Sequence, residues 1–312
     1  MNDTAHGIMF HHFHDHNKHI VGQGSISSED FENILDFYGK THNIISAEDF
    51  LYKSQRNILS SNDVCITFDD GLLCQYDIAY PVLEHRGLTA FWFIYTSPLE
   101  GILEKLEIYR HFRFSKFEDI EDFYAAFFKI ASDEYDIVAT ELKTFNPDNY
   151  LIGYPFYTPN DKRFRYLRDH VLGESRYNHT MDKMIAEYQY NVSENAKLLW
   201  MNSTQICNLT KHGHIIGLHS HTHPTVMQDK SKEAQKYEYG TNLDRLLQIT
   251  RKNIISVSYP CNSYNLDTLQ YMQELNIQVG FRANMLPERI SQTNLEIPRE
   301  DHSNILRAMK TF

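Results

Sequence analysis

The chain has 312 residues, of which 42% are hydrophobic and 23% are charged, as in folded globular domains and unlike disordered proteins. Its formal net charge of -11, with no basic run to offset it, argues against nucleic acid as a partner. The four cysteines form no CxxC pair, the first residues lack a secretory signal, and no span is apolar enough to cross a bilayer. We therefore expect one cytoplasmic domain over residues 1–312, with reduced thiols.

The first predicted strand is short and apolar and covers residues 7–10. It runs into a histidine-rich tract, in which His11 is the first residue past the strand. Active sites of β/α barrels collect at the carboxyl ends of the strands, so His11 is a candidate catalytic residue. The remaining histidines of this tract are interpreted as loop residues: His12, His14, His16 and His19.

A buried strand is predicted at residues 64–68, and two acids follow it directly. Adjacent carboxylates at the end of a buried strand repel each other and resist desolvation, so a fold keeps them with a cation or a shared proton. Gly71 then allows a sharp turn that leaves Asp69 and Asp70 at the mouth of a pocket. A surface turn with Asp70 near a helix N-cap is the alternative for this motif taken alone.

Strands and helices alternate along most of the chain. A helix after residue 75 contains Pro81, which predicts a kink or a late start. Seven or eight parallel strands alternating with helices predict an α/β fold, a distorted (β/α)7-8 barrel. The further predicted strands are 44–45, 89–95, 215–218, 254–258, 277–281 and 295–297.

The alternation breaks between residues 97 and 202, where helical patterns occur without an obvious strand. We interpret 97–202 as a largely helical insertion within the barrel domain, either a lid or an independent packing module.

His219 and His223 directly follow the predicted strand 215–218, just as the paired acids follow 64–68. Two strand ends thus offer Asp, His and His to one point, a facial arrangement that leaves positions open for water, as catalytic zinc sites do. Ser220 and Thr222 lie between the histidines and are candidates for orienting them.

These residues resemble the polysaccharide deacetylase (NodB-homology) family, carbohydrate esterase family four. The resemblance rests on TFDDG at 67–71 and HSHTHP at 219–224. It implies a metal-dependent hydrolase on a distorted barrel, with Asp69 as catalytic base and Asp70, His219 and His223 as metal ligands. SYPC at 258–261 resembles a third motif and implies that the Cys261 backbone N–H binds the oxyanion, although the family more often has tyrosine there.

IMFH at 8–11 resembles a circularly permuted branch of this family that carries the catalytic histidine on its first strand. This implies that His11 is the acid that protonates the leaving group, with His302 as a rival. IPRED at 297–301 resembles the closing motif of the same branch and implies that Arg299 keeps Asp69 ionised and that Asp301 pairs with His11. The resemblance covers residues 7–95 and 203–302.

The implied activity is that of a zinc-type N-deacylase, either an N-deacetylase or an N-deformylase. Its expected substrate is an N-acylated amino sugar or glycan precursor in surface glycan biosynthesis, such as O-antigen of lipopolysaccharide, capsule or exopolysaccharide. Co²⁺, Ni²⁺ or Fe²⁺ also suits Asp/His₂ ligands. The alternatives are hydrolysis of a non-sugar amide or O-acyl ester, an inactive carbohydrate-binding homologue, and metal storage by the histidine-rich tract.

Overall fold

The structure is a computed structural model that describes residues 4–151, 157–291 and 293–310. Its contacts divide the chain into two compact units. The first unit comprises Met1–Glu104 and Lys197–Phe312, and the second comprises Lys105–Ala196. No helix in the described part of the chain has the length and apolar character needed to span a membrane.

The first unit is built on a single parallel sheet. Its order is β7-β6-β5-β4-β3-β1-β8, and the short β2 pairs with β3. A parallel bridge between Phe281 and Ile297 links the two ends of this order, so the sheet is a nearly closed barrel, which confirms the predicted fold class. The strands are β1 (His6–Phe10), β2 (Asn43–Ile44), β3 (Asp63–Phe68), β4 (Ala90–Ile94), β5 (Ile215–Leu218), β6 (Ser256–Ser258), β7 (Val279–Phe281) and β8 (Arg299–Asp301).

Helices follow most strands, and most of these helices begin at a polar side chain that caps the first turn. Ser27 and Asp30 form a capping box at the start of α1, which satisfies N–H groups of the first turn. The helices are α1 (Ser28–Tyr38), α2 (Ala47–Gln55), α3 (Tyr80–Arg86), α4 (Lys105–Lys116), α5 (Ile120–Glu134), α6 (Asp136–Thr144), α7 (Pro159–Tyr166), α8 (Gly173–Glu187), α9 (Val192–Asn195), α10 (Ser203–Lys211), α11 (Lys232–Thr250), α12 (Leu266–Glu274) and α13 (His302–Met309).

Pro81 lies in the first turn of α3, where its missing N–H costs no hydrogen bond. A π-helical turn, Gln75–Ala79, precedes α3. The chain is already helical from Leu73, so Pro81 follows a π-helical irregularity within a longer helical segment and does not mark a late start.

The strands are buried on both faces, as parallel strands covered by helices are. Ile66 and Trp92 belong to the core between sheet and helices, whereas Cys65, Phe91 and Phe93 belong to a separate core cluster. Because successive side chains of a strand point to opposite faces, the second cluster fills the barrel interior.

The prediction of a last strand at 295–297 is wrong. Asn294–Glu296 is a 3₁₀ turn, and the last strand is β8, which begins after Pro298. Glu296 explains the difference, because its buried carboxylate accepts hydrogen bonds from the N–H groups of Ile290 at 2.8 Å and Ser291 at 2.6 Å. These bonds hold the segment in a turn.

The topology places β1 between β3 and β8. The ladder of β1 and β3 runs from His6↔Val64 to Phe10↔Phe68, and Met9 pairs with Asp301 of β8. The carboxyl ends of these three strands therefore meet at one edge of the barrel, and they carry His11, Asp69 and Asp301.

The second unit is helical and comprises α4 to α9 with short connecting turns. Its interior is rich in aromatic side chains. Phe123, Phe127 and Phe164 lie in mutual edge or tilted ring contact, and Phe117 contacts both Phe112 and Phe123. Residues 152–156 of the predicted insertion lie outside the described residues. The assignment of 1–312 as one domain with 97–202 as a lid stays a prediction.

Candidate metal and catalytic site

Asp69 and Asp70 follow β3 in a backbone turn that few residues adopt. Asp70 has φ +79° and Gly71 has φ +64°, both in the left-handed region. A Cβ atom at Gly71 would lie 2.9 Å from Cγ2 of Ile94, so the turn excludes a side chain for steric reasons as well. Strained backbone of this kind is kept where the surrounding structure fixes it, often at functional sites.

The segment from His219 to His223 follows β5 and is held by α11. The Glu238 carboxylate accepts hydrogen bonds from the N–H groups of His221 at 3.0 Å and Thr222 at 2.8 Å, and from the Thr222 hydroxyl at 2.6 Å. The Ser220 hydroxyl accepts from the His223 N–H at 3.1 Å. Ser220 thus orients the second histidine directly, whereas Thr222 ties the loop to Glu238.

Asp70, His219 and His223 converge as the sequence predicted. Asp70 Oδ1 lies 3.3 Å from Nε2 of each histidine, and one ligand atom of each residue lies within 4.8 Å of the others. Burial by itself raises the pKa of Asp70, but the two imidazoles outweigh it and hold this pKa well below its usual range. Among the described residues, this is the one group of three or more acidic, histidine or cysteine side chains that could hold a metal, so the N-terminal histidines form no such cluster.

The donor atoms of this group fit a cation. Nδ1 of His219 lies 2.8 Å from the Ser258 carbonyl oxygen, which only accepts, so Nδ1 carries a proton and Nε2 is the nitrogen that faces Asp70 and can bind a cation. Asp70 Oδ1 is buried and makes no hydrogen bond in the described structure. A buried carboxylate oxygen that faces two imidazole nitrogens at 3.3 Å must share a proton or a cation with them, and one Asp with two His is a set of ligands that zinc takes.

Asp69 is buried beside Arg299, which is fully buried. Nη1 and Nη2 of Arg299 donate to Oδ1 and Oδ2 of Asp69, each at 2.7 Å. The Ser258 hydroxyl donates to Oδ2 at 3.1 Å and accepts from Nη2 at 2.8 Å. Burial is the largest single effect and raises the pKa of Asp69, but the charge and hydrogen bonds of Arg299, together with smaller contributions from His219 and His11, outweigh it and hold this pKa at about 2. Asp69 is therefore ionised throughout the ordinary pH range.

His11 lies at the end of β1, the strand beside the one that Asp69 follows. Its Nε2 is 3.9 Å from Asp69 Oδ2, and its side chain is 31% exposed. This partial exposure leaves the ring accessible to a substrate.

The rival acid, His302, is in a different environment. Its ring is buried and stacks on Phe10, and its nitrogens lie 3.0 Å from the Gly24 carbonyl oxygen and 3.3 Å from that of Met9. Burial lowers the pKa of His302. Its nitrogens are thus occupied by backbone carbonyls.

Asp301 caps α13, where its Oδ1 accepts from the Ser303 N–H at 2.8 Å and lies 3.8 Å from Nδ1 of His302. In the described structure it makes no hydrogen bond to His11. The charge of His11 does help to lower the pKa of Asp301, after the larger effects of burial, which raises it, and of His302 and Ser303, which lower it.

Cys261 lies in the 3₁₀ turn Pro260–Asn262 that follows β6. The residue is exposed and has φ +52°, again in the left-handed region. Its role as an oxyanion donor stays a prediction.

Several residues of the site were not identified from the sequence. Asn242 of α11 accepts from the His219 N–H at 3.0 Å and donates to the Ile94 carbonyl at 2.9 Å, so it joins the two strands beside the histidine loop. Ser258 bonds to Asp69, Arg299 and His219 at once. The SYPC motif was a signal for Ser258, whereas nothing in the helical pattern distinguished Asn242 or Glu238.

Comparison with known proteins is consistent with this geometry. Residues 177–280 match the Polysaccharide deacetylase family. The deacetylase PplD of Streptococcus pyogenes, solved in complex with acetate, is similar over 99% of each chain, with 16% identity and a TM-score of 0.56. IcaB from Ammonifex degensii is similar over 96% of this chain and 91% of its own, with 13% identity and a TM-score of 0.53. A de-N-acetylase from Aggregatibacter actinomycetemcomitans covers 97% of this chain and 98% of its own, with 11% identity and a TM-score of 0.54.

No curated protein matches the sequence. At identities of 16% or less, the solved structures establish a common fold. The family match adds the class of reaction, hydrolysis of an amide bond. The family match and the common fold together indicate a hydrolase that acts on amide bonds.

Proposed function

We propose that this protein is a metal-dependent N-deacylase of an amino sugar. One observation carries the proposal: Asp70, His219 and His223 converge beside an Asp69 carboxylate that Arg299 keeps ionised. His11, with Nε2 3.9 Å from Asp69 Oδ2, completes an acid–base pair. These are the groups that hydrolysis of an unreactive amide requires.

Asp70, His219 and His223 would hold the metal, with zinc the expected ion and Co²⁺, Ni²⁺ or Fe²⁺ as alternatives. Bound there, a divalent cation would polarise the acyl carbonyl and make a water acidic enough to lose its proton to a weakly basic carboxylate.

The residues of the chain then have separate tasks. Asp69 accepts the proton of the attacking water, and Arg299 and Ser258 fix the direction of its lone pairs. Protonated His11 delivers a proton to the departing nitrogen, which would otherwise leave as an amide anion. The Cys261 N–H is the proposed donor to the oxyanion. Arg299 acts through Asp69, and Asp301 acts on His11 through its charge, without a hydrogen bond.

The proposed substrate is an N-acetylated or N-formylated amino sugar, free or part of a precursor of a surface glycan such as O-antigen, capsule or exopolysaccharide. Support comes from the family match and from a similar fold that is described as a de-N-acetylase. The cytoplasmic location and the circular permutation expected from the sequence stay predictions.

The experiment is an assay of acetate and formate release from N-acylated glucosamine oligosaccharides. We expect activity that chelator abolishes and that Zn²⁺ restores. The D69N variant is expected to lose about 10²- to 10⁴-fold in kcat, because the substitution removes the general base. The matched control is D244N, since Asp244 is exposed on α11. Full activity of D69N would reject the mechanism.

The inactive-homologue alternative requires a disrupted site, but His219 faces Asp70 at 3.3 Å. Hydrolysis of an ester or a non-sugar amide uses the same residues. Rates measured over a series of substrates with different leaving groups distinguish ester hydrolysis from amide hydrolysis, because an ester of an acidic alcohol depends less on protonation by His11.

A further inference from the structure

Gln75 is fully buried and directly follows the loop that carries the two acids. Its Nε2 donates to the carbonyl oxygen of His11 at 2.8 Å and to that of Asp69 at 2.6 Å. Its Oε1 accepts from the Leu72 N–H at 3.2 Å. Because backbone carbonyls only accept, the orientation of this amide is fixed, and all of its hydrogen-bonding atoms are engaged.

The two carbonyls belong to the residues at which β1 and β3 stop pairing. The last pair of the ladder is Phe10↔Phe68, and the Asp69 N–H donates to the Phe10 carbonyl at 3.2 Å. Beyond this pair, the side chain of Gln75 takes the place of a neighbouring strand for both carbonyls. It therefore joins the backbone of the proposed acid to that of the proposed base.

The His11 ring has few other contacts, one of which is stacking on His12 with the ring centroids 6.4 Å apart. In the part of the chain that the structure describes, neither ring nitrogen makes a hydrogen bond, and the contact to Asp69 Oδ2 is 3.9 Å. The backbone position of His11 therefore decides how far its ring lies from the base. Displacements of about 1 Å in a catalytic group can cost about 100-fold in rate.

We propose that Gln75 is a positioning residue that sets the separation of His11 and Asp69. The inference rests on the proposed function, in which these two residues are acid and base. Gln75 touches neither substrate nor metal, and it acts through the two carbonyls that it binds.

Hydrolysis of an N-acetyl sugar depends on this separation more than hydrolysis of an activated ester does. The sugar amine must be protonated as it leaves, whereas p-nitrophenolate leaves unaided. Displacement of His11 should therefore lower kcat for the amide and change kcat for p-nitrophenyl acetate little. KM should also change little, because Gln75 does not contact the substrate.

The test compares the Zn²⁺-loaded protein with Q75M and Q75E. Met has a similar length but cannot donate, and Glu places an oxygen against the two carbonyls. We expect kcat for an N-acetylglucosamine tetrasaccharide to fall about 100-fold in both variants, with kcat for p-nitrophenyl acetate within about five-fold of wild type. Q273E is the control, because Gln273 is exposed on α12. Equal losses on both substrates, or no loss, would overturn the proposal.

A double-mutant cycle with H11A separates positioning from general stabilisation. If Gln75 acts through His11, Q75M should cost less than about three-fold in amide kcat once His11 is already Ala. Additive losses in the double variant would show that Gln75 acts elsewhere and would overturn the proposal.

A measurement without substrate keeps the result independent of the activity. The ring proton–carbon resonance of His11, assigned by its loss in H11Q, should shift in Q75M and Q75E, while that of exposed His85 should not. An unchanged His11 resonance would contradict the positioning role. If the wild-type protein cleaves no N-acyl sugar but the resonance shifts, the deacylase proposal fails and the structural role of Gln75 stands.

Discussion

Arg299 is a cation buried inside the barrel, and its contacts determine the charge state of the site. Besides its two bonds to Asp69, its Nε donates to the Arg282 carbonyl at 2.7 Å and its Nη1 to the Thr67 hydroxyl at 3.2 Å. The guanidinium therefore pairs with a carboxylate and with neutral acceptors, as a buried charge requires.

We predict that R299M raises the pKa of Asp69, because burial, which raises it, then loses the largest of the effects that oppose it. In the wild-type protein this carboxylate has a depressed pKa of about 2, so the stability it contributes is present above its unfolded pKa and is lost as pH falls through about 2. The acid limb of kcat/KM should move in R299M to at least the ordinary carboxyl range of about 4.

Loss of one partner of a buried ion pair also costs about 3–5 kcal/mol in the free energy of unfolding. Urea titration measures this loss, and circular dichroism confirms that the assayed variant is folded. R299K keeps the charge without the paired geometry. Its stability and its acid limb should therefore lie between those of the wild-type protein and those of R299M. An acid limb that does not move in R299M would contradict the role of Arg299.

The residues of the site differ in how far the sequence revealed them. Asp69, Asp70, His219 and His223 were predicted because each pair follows a strand, and strand ends of a barrel meet at one edge. Gln75 gave no signal, since its partners are backbone carbonyls, one of them 64 positions away. Any polar residue in a helical pattern is compatible with the surface, so only the folded structure reveals such a bond.

At the scale of elements, α11 supports the histidine loop from one side. Glu238 and Asn242 are one turn apart on this helix, and between them they bind the N–H groups of His219, His221 and Thr222. The helix therefore fixes the loop that follows β5 before any metal binds. Partners of this kind tune the affinity of a metal site.

We predict that E238Q weakens Zn²⁺ binding by about 10- to 100-fold. The substitution replaces one of the two Glu238 oxygens that accept hydrogen bonds from the loop with an NH₂ group, which can only donate. Competition with a chromophoric chelator measures the affinity. E233Q on the exposed side of the same helix should leave it unchanged. Equal affinities of the three proteins would show that the loop holds its geometry without Glu238.

The element that the sequence misplaced is the last strand. The run of apolar and acidic residues at 295–297 has the alternation of a strand, but Glu296 uses its side chain to bind the preceding loop. Hydrophobic periodicity predicts which face of a segment is buried. It does not predict which N–H groups a buried carboxylate will bind.

At the scale of the whole molecule, the barrel closes where β7 meets the turn before β8. The Ile297 N–H donates to the Gly280 carbonyl at 2.8 Å, and the Arg282 N–H donates to the Ile297 carbonyl at 2.9 Å. Gly280 allows this approach, because a Cβ atom there would lie 2.5 Å from the Leu295 carbonyl oxygen. The neighbour is backbone and cannot rotate away.

We predict that G280A separates these segments and lowers stability by about 1–3 kcal/mol, the usual cost of overpacking. Because Arg299 follows this closure, amide hydrolysis should fall together with stability. Thermal unfolding and kcat measured on the same samples test this. G240A, where the nearest atom is the Tyr271 hydroxyl at 3.0 Å, should be tolerated, since Ala also favours a helix. A G280A protein as stable as wild type would contradict this view of the closure.

The pairing of β1 with both β3 and β8 has a consequence for synthesis on the ribosome. The nascent chain produces His11 and Asp69 early, but the guanidinium that neutralises Asp69 is added more than 200 residues later. Until then, one edge of β1 is unpaired and Asp69 lacks its counter-ion. The incomplete barrel therefore cannot adopt the native structure. We therefore expect the catalytic centre to assemble after translation, in one late step that docks β8.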